Sequence, residues 1–286
     1  MKPSAFEYLA PDSCAEAVDA LAEHGDEAAV LAGGQSLIPM MNLRIAAPSV
    51  LVDIMRIAEV RTIERVGDWI EIGAGIRMTQ AEQGSGVPLI GRALRHVGHS
   101  AIRNAGTVCG SIAHADPAAE LPAVLLALDG EVVLRSVRGR RVVAADDFFR
   151  SYFTTAREPD ELVVAVRIPV TRRRVAFLEV TPRLGGSTGE FATVAVAATA
   201  DLGDDGRSFA DVSLAFAGVA ERAIRAREAE ALLAGAEPTA KTLDAAARAA
   251  AHAAEDPPGD VHAGPAYRRR LMNALTRRAL EELASS

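Results

Sequence analysis

Two successive glycines at the end of an apolar run, in the stretch Leu31-Ala-Gly-Gly-Gln-Ser-Leu37, constrain this chain more than any other local feature. Glycine lets the backbone turn with positive φ and approach another group with no Cβ between them, so consecutive amide N–H groups can point at an anion. The run that carries the glycines, AAVLAGG, reads as a buried strand, and so does SVLVDI after it. A second stretch, NAGTVCGS from Asn104 to Ser111, repeats the elements, with glycines at 106 and 110 and hydroxyls at Thr107 and Ser111. Neither is the GxGxxG dinucleotide fingerprint or the phosphate loop that ends in Gly-Lys-Ser/Thr, and GAGIRM at Gly73 to Met78 lacks the third glycine and a helix start. The arrangement left available is a diphosphate gripped between two separate loops by backbone amides and hydroxyls rather than by one helix terminus.

Around these loops the first half alternates short elements. PDSCAEAVDALAEHG offers a cap at Asp12 or Ser13, apolar Ala17, Leu21 and Ala22 at helical spacing, and Gly25 as a stop. RTIERVGDWIEIGAG predicts a hairpin turning at Gly67-Asp68. TQAEQGS and PLIGRALRHVG predict helices; a long loop follows from Ser100, its part from Ala118 to Leu128 helical. Strands are expected at EVVLRS, RRVVAA and DELVVAVRIP. From about Arg172 the character changes. VAFLEVTP, EFATVAVAATADL and SFADVSLAFAGVA predict three strands, and ERAIRAREAEALLAG, TAKTLDAAARAAAHA and PAYRRRLMNALTRRALEEL three helices, which makes a separate α+β lobe. Tyr267, Leu271 and Leu275 recur every four residues and predict the packing stripe of the last helix, with its arginines facing out.

Composition excludes several functions. A net charge of −7 over 286 residues leaves no broad basic face for nucleic acid, and the runs Arg172–Arg174 and Arg268–Arg270 read as solvated surface. No stretch has the apolar length of a bilayer span and the N-terminus has no apolar targeting core, so the expected location is the cytoplasm. The two cysteines, Cys14 and Cys109, are far apart and cannot supply the thiolates of an iron–sulfur cluster or structural zinc. In HADPAAE, Asp116 is expected to cap a helix that begins near Pro117 and His114 to hydrogen-bond within the loop, with no matched metal-ligand set. No nucleophile with its base and no carboxylate pair at an acid–base spacing stands out, so no residue is read as catalytic.

LAGGQSLIP, then NLRIAAPSVLVDI and IRNAGTVCGSIAHADPAAELP, resemble the FAD-binding medium subunit of the molybdenum hydroxylases, the carbon monoxide dehydrogenase medium-chain and xanthine dehydrogenase group. The resemblance continues through DELVVAVRIP and the closing helix, so it spans nearly the whole chain. It implies an α+β protein: a two-lobed FAD-binding domain of the PCMH, or vanillyl-alcohol-oxidase-like, type over 1–171 (subdomains about 1–55 and 56–171). A C-terminal domain of the carbon monoxide dehydrogenase flavoprotein type, with an antiparallel three-stranded sheet and helices, is expected over 172–286. By resemblance the first loop, Leu31, Ala32, Gly33, Gly34, Gln35, Ser36, Leu37 and Ile38, wraps the FAD pyrophosphate, and Thr107, Cys109, Gly110 and Ser111 meet it from the other side. Glu120 matches an acid that hydrogen-bonds the cofactor, Val163 an apolar contact, and Arg183 a basic position near the ring.

Two departures bear on this. Cys109 stands where the family has glycine; with positive φ it would carry strain of about 1 to 3 kcal/mol, which Cys109→Gly would relieve. Glu179, Pro182-Arg183 and a glycine-rich link to Glu190 replace the family pattern, in which a lysine at the Glu179 position works near the flavin. The implied function is an electron relay: a molybdopterin-bearing large subunit oxidises substrate, a small subunit with two 2Fe-2S clusters carries electrons, and FAD on this chain passes them to an acceptor. The alternatives are a stand-alone flavoprotein oxidoreductase and a non-redox scaffold with a degenerate FAD pocket.

Overall fold

The computed structural model describes residues 2–171, 173–182 and 190–285. The chain begins with β1 (Glu7–Leu9), α1 (Cys14–His24), β2 (Ala28–Leu31), α2 (Leu37–Asn42) and β3 (Val50–Asp53), whose strands pair in parallel in the order β1-β3-β2. Parallel neighbours need a crossover, and α2 supplies it between β2 and β3, while α1 links β1 to β2 on opposite edges of the sheet. Of the two candidate caps Ser13 is the one used, its Oγ accepting from Glu16 N at 3.2 Å, and Gly25 ends the helix at φ +49°. The buried face is Cys14, Ala17, Val18 and Leu21; Ala22, expected there, is exposed because the stripe drifts by one position.

Next come β4 (Ile63–Val66), β5 (Trp69–Gly73), α3 (Met78–Gly84), α4 (Pro88–Leu94), α5 (Ser100–Ala105), α6 (Val108–His114) and α7 (Glu120–Ala127). They are followed by β6 (Glu131–Ser136), β7 (Gly139–Ala144), α8 (Ala145–Phe148), the small hairpin β8 (Phe149–Ser151) and β9 (Thr154–Thr155), and β10 (Leu162–Pro169). β4, β5, β10, β6 and β7 form an antiparallel sheet in that order, with the mostly buried β10 at its centre. The β4–β5 hairpin turns at Gly67, φ +62°, as its Gly-Asp pair predicts.

The long loop expected from Ser100 is instead broken into two short helices ahead of α7. Gly106 and Gly110 hide them in the sequence, because glycine weakens a helical pattern even where Val108, Cys109 and Ile112 pack its buried side. Asp116 does not cap α7: its Oδ1 accepts from Ala118 N at 2.8 Å, a local turn, and the helix starts at Glu120.

The last part comprises β11 (Arg174–Val180), β12 (Val194–Leu202), β13 (Phe209–Ala217), β14 (Ile224–Arg225), α9 (Arg227–Leu233), α10 (Ala240–Ala250) and α11 (Pro265–Ser285). The sheet has four antiparallel strands, not three, because β14 pairs with β13 inside the segment expected to be wholly helical. Both faces of this sheet are buried. Ala195, Ala197, Ala215 and Ala217 join the core of the first part, against α7, while Val194, Val196, Ala198, Leu214 and Phe216 join a second core with α9, α10 and α11. Period-2 alternation sorts the residues between the two cores.

The arginine runs are solvated surface only in part: Arg270 is exposed and Arg172 lies outside the described residues, but others are tied into the fold. Arg173 is buried among Asp129, Asp201 and Asp211, and Arg174 donates to the carbonyls of Leu283 and Ala284 at 2.8 and 3.1 Å. Arg268 is 5% exposed. The buried stripe of α11 is Arg268, Met272, Leu275, Thr276, Ala279, Leu280 and Leu283, one position on from the expected Tyr267 and Leu271. Among the described residues no helix is long and apolar enough to cross a membrane.

Candidate functional site

Where β2 ends, the chain turns through the glycines into α2, and Ala32 to Leu37 form one wall of a cavity of about 520 Å³. Gly34 takes φ +69°, a conformation that L residues other than glycine rarely adopt. Gly33 needs glycine for a different reason: a Cβ there would overlap Ala105 O and lie 2.5 Å from Gly106 Cα. The two glycine stretches therefore touch backbone to backbone. No acceptor among the described residues takes the amides of Gly34, Gln35 and Ser36, while Gln35 Nε2 donates to Gly33 O at 3.1 Å and pins the loop. Leu31 and Ile38 do not line the cavity; they flank Gly34, where an added Cβ would come within 3.3 and 3.1 Å of their side chains.

The opposite wall contains Thr107, Cys109, Gly110 and Ser111. Thr107 caps α6, its Oγ1 accepting from Gly110 N at 3.0 Å, so this stretch is the first turn of a helix rather than a loop. The strain expected at Cys109 is absent, since its φ is helical and not positive. Its Sγ donates to Ile72 O at 3.4 Å, and burial pushes the thiol up to about 12. Cys109→Gly is accordingly expected to lower stability by about 1 to 2 kcal/mol, through lost burial and helix propensity, with no gain in ligand affinity; urea midpoints and a binding titration check both.

Glu120 and Val163 also line the cavity, whereas Arg183 lies outside the described residues. Several wall residues were not singled out from the sequence: Met78, Val97, Gly98, Ile102, Arg157 and Phe191. Ile102 sits inside the quoted IRNAGT, but Arg157 carries no local signal. Its side chain is held by the carbonyls of Glu158, Pro159 and Glu161 at 2.9, 3.2 and 2.9 Å. His114 closes α6 and packs on Phe153 with ring centroids 5.1 Å apart; burial lowers its pKa against the opposing charge of Asp116. Among the described residues no cluster of His, Cys, Asp or Glu is placed to hold a metal ion.

The carboxyls are unusual. Glu120 is 4% exposed, and burial, aided by the charge of Asp116, pushes it up to about 7 despite a backbone hydrogen bond. Behind it, outside the cavity lining, Glu179 is pushed up to about 8 by burial and then by the charge of Glu120. Both are protonated in the folded chain over a range where the unfolded chain, with its usual value of 4.5, has lost the proton. Their contribution to stability is thus whole below about pH 4.5 and is lost as pH rises to about 7 for Glu120 and about 8 for Glu179. Glu179→Gln is expected to be more stable than the parent by about 2 kcal/mol at about pH 9 and indistinguishable at about pH 4, by urea midpoint.

Residues 4–171 match the FAD binding domain in molybdopterin dehydrogenase, and residues 183–283 the CO dehydrogenase flavoprotein C-terminal domain. The 6-hydroxypseudooxynicotine dehydrogenase complex subunit alpha of Paenarthrobacter nicotinovorans is 36% identical over 98% of this chain and 95% of its own length. The carbon monoxide dehydrogenase medium chain of Hydrogenophaga pseudoflava is 34% identical over 98% of this chain and 97% of its own. The solved structure of carbon monoxide dehydrogenase from Hydrogenophaga pseudoflava lacking the Mo-pyranopterin moiety superposes with a TM-score of 0.94, at 34% identity, covering 100% of this chain and 99% of that one. Quinoline 2-oxidoreductase from Pseudomonas putida 86 gives a TM-score of 0.92 at 33% identity, with coverage of 100% and 99%.

Proposed function

Because the chain belongs to the family of FAD-binding medium subunits of the molybdenum hydroxylases, we propose that it holds FAD in this cavity and relays electrons for an oxidoreductase complex. The observation that carries the reading is the backbone contact at Gly33, where a side chain would intrude, beside amides that have no acceptor among the described residues. The cavity suits the group chemically. Amides of Gly34, Gln35 and Ser36 on one wall and the Ser111 hydroxyl on the other suit a diphosphate, and the Arg157 side chain adds a cation to the cavity lining. Glu120 offers an acceptor or, protonated, a donor to a sugar-alcohol hydroxyl, and Val163, Ile102 and Met78 offer apolar surface to a ring. Bound FAD supplies electron transfer at its isoalloxazine ring.

In this reading the partners are a molybdopterin-bearing large subunit, which oxidises the substrate, and a small subunit with 2Fe-2S clusters, which delivers its electrons. The relatives named as medium chain or complex subunit support that division. Two buried, unpaired thiols suit work in the cytoplasm. The test is to purify the chain and titrate it with FAD. About one FAD per chain with flavin absorbance, and co-purification with both partner subunits when all three are co-expressed, is the expected result. A colourless chain that takes up no FAD overturns the cofactor assignment, and a flavin-loaded chain that is reduced by small molecules without partners overturns the relay.

A further inference from the structure

β11 places an acid where its alternation calls for an apolar side chain. Val175 and Phe177 point into the core shared with the first part of the chain, and Glu179 is next in that register, opposite Ala195 on β12. Its side chain is 2% exposed, and among the described residues its Oε2 has no hydrogen-bond partner. Among the described residues, nearby cations are engaged elsewhere: Arg92 of α4 with Glu282 of α11, Arg95 with Glu82, and Arg174 with carbonyls of α11. The groups that do face Glu179 are His96, following α4, and Glu120, opening α7. His96 Nδ1 is 4.0 Å from Glu179 Oε2, and the half-buried ring reaches solvent while resting on Phe177. On the other side, Glu120 is near enough for its charge to act on Glu179, and it lines the cavity. An orphaned buried acid weakens the fold and so calls for an explanation.

We propose that His96, Glu179 and Glu120 form a proton path from the protein surface to the wall of the flavin cavity. The inference rests on FAD occupying that cavity and adds to it the source of the proton that electrons from iron–sulfur clusters do not bring. Conversion of oxidised flavin to its anionic reduced form takes two electrons and one proton. The electrons come singly from the clusters of the partner subunit. The proton would leave the Glu120 carboxyl, breaking an O–H bond there, and would pass to the reduced flavin through the cofactor's hydroxyl or a water. Glu179 reprotonates the Glu120 carboxylate, and solvent reprotonates Glu179 through the His96 imidazole, so the residues end as they began. Near neutral pH Glu179 holds its proton and Glu120 is about half protonated, while burial disfavours the charged form of His96, so the path is loaded at Glu179 and can refill Glu120.

The test uses the full chain, first titrated with FAD, then reduced by a flash-generated deazaflavin radical while a pH-indicator dye records proton uptake. In the parent, uptake of one proton per flavin keeps pace with reduction. In Glu179→Gln, and in His96→Ala, uptake is expected to slow by about tenfold or more with FAD stoichiometry unchanged, and added imidazole to restore the His96 variant. The infrared band of a protonated buried carboxyl, read in the chain without FAD near neutral pH, is expected to weaken in Glu179→Gln. His96 lies near the surface, so its variant keeps the test open if the Glu179 variant does not fold. Uptake in His96→Ala within about twofold of the parent, with FAD bound, overturns the path and leaves the flavin reading standing. A parent chain that binds no FAD overturns both.

Discussion

Gly33→Ala is expected to weaken FAD binding by at least about tenfold, the equivalent of about 1.4 kcal/mol, while the remainder of the chain stays folded. The added methyl would overlap Ala105 O and crowd Gly106 Cα, and both are main-chain atoms that no rotamer change can clear. Ala105 is the last residue of α5, and Gly106 is fixed by hydrogen bonds from its amide to Ile102 O at 2.7 Å and to its carbonyl from Met78 N at 2.8 Å. Relief must come from the first stretch moving away, which widens the cradle at the point proposed to hold the diphosphate. Overpacking of this kind typically costs about 1 to 3 kcal/mol, and the ligand that requires the closed geometry loses most of it. Gly34→Ala is a milder comparison: the nearest atoms are side-chain carbons of Ile38 and Leu31 at 3.1 and 3.3 Å, and the cost comes chiefly from φ +69°, about 1 kcal/mol. Isothermal titration of FAD into both variants, with circular dichroism as the folding control, measures the contrast. Stoichiometric, undiminished FAD in Gly33→Ala shows that the diphosphate is held elsewhere.

Arg268→Met is expected to remove about 3 kcal/mol of stability. Its Nη1 donates to Thr193 O and, at 2.6 Å, to Gly218 O, and its Nη2 pairs with Asp260. Those carbonyls lie where the start of β12 passes the end of β13. The approach is so close there that a Cβ on Gly218 would come 2.5 Å from Thr193 O. Methionine fills much of the volume but leaves two buried acceptors without a donor. A urea midpoint shared by Arg268→Met and the parent contradicts this account, and hydrogen exchange should show faster opening at the beginning of β12. Phe191, two residues before Thr193, lines the cavity, so FAD affinity is expected to fall modestly in the same variant.

How much of this was legible in the chain can be judged from particular residues. The first glycine stretch was readable because a strand ending in Gly-Gly has few backbone options, and β2 with Gly34 at positive φ is one of them. The second misled: its glycines suggested a loop, yet Thr107 caps a helix and Cys109 is an ordinary buried helical residue. Tyr267 and Leu271 carried a correct period with the wrong phase, because a spacing of four fits an exposed stripe as well as a buried one. The hydrophobic alternation of β12 and β13 announced strands, but gave no sign that the two faces serve two different cores.

The sequence by itself determined most of the longer strands and helices, the glycine stretches and, through motif resemblance, the family, since each rests on neighbours a few residues apart. Only the tertiary structure decided that Gly33 meets Ala105, that Arg268 is a buried cross-link, and that Glu179 stands behind Glu120. Those facts are set by contacts between segments far apart along the chain. Burial and charge depend on what surrounds a residue in space, which no local pattern records.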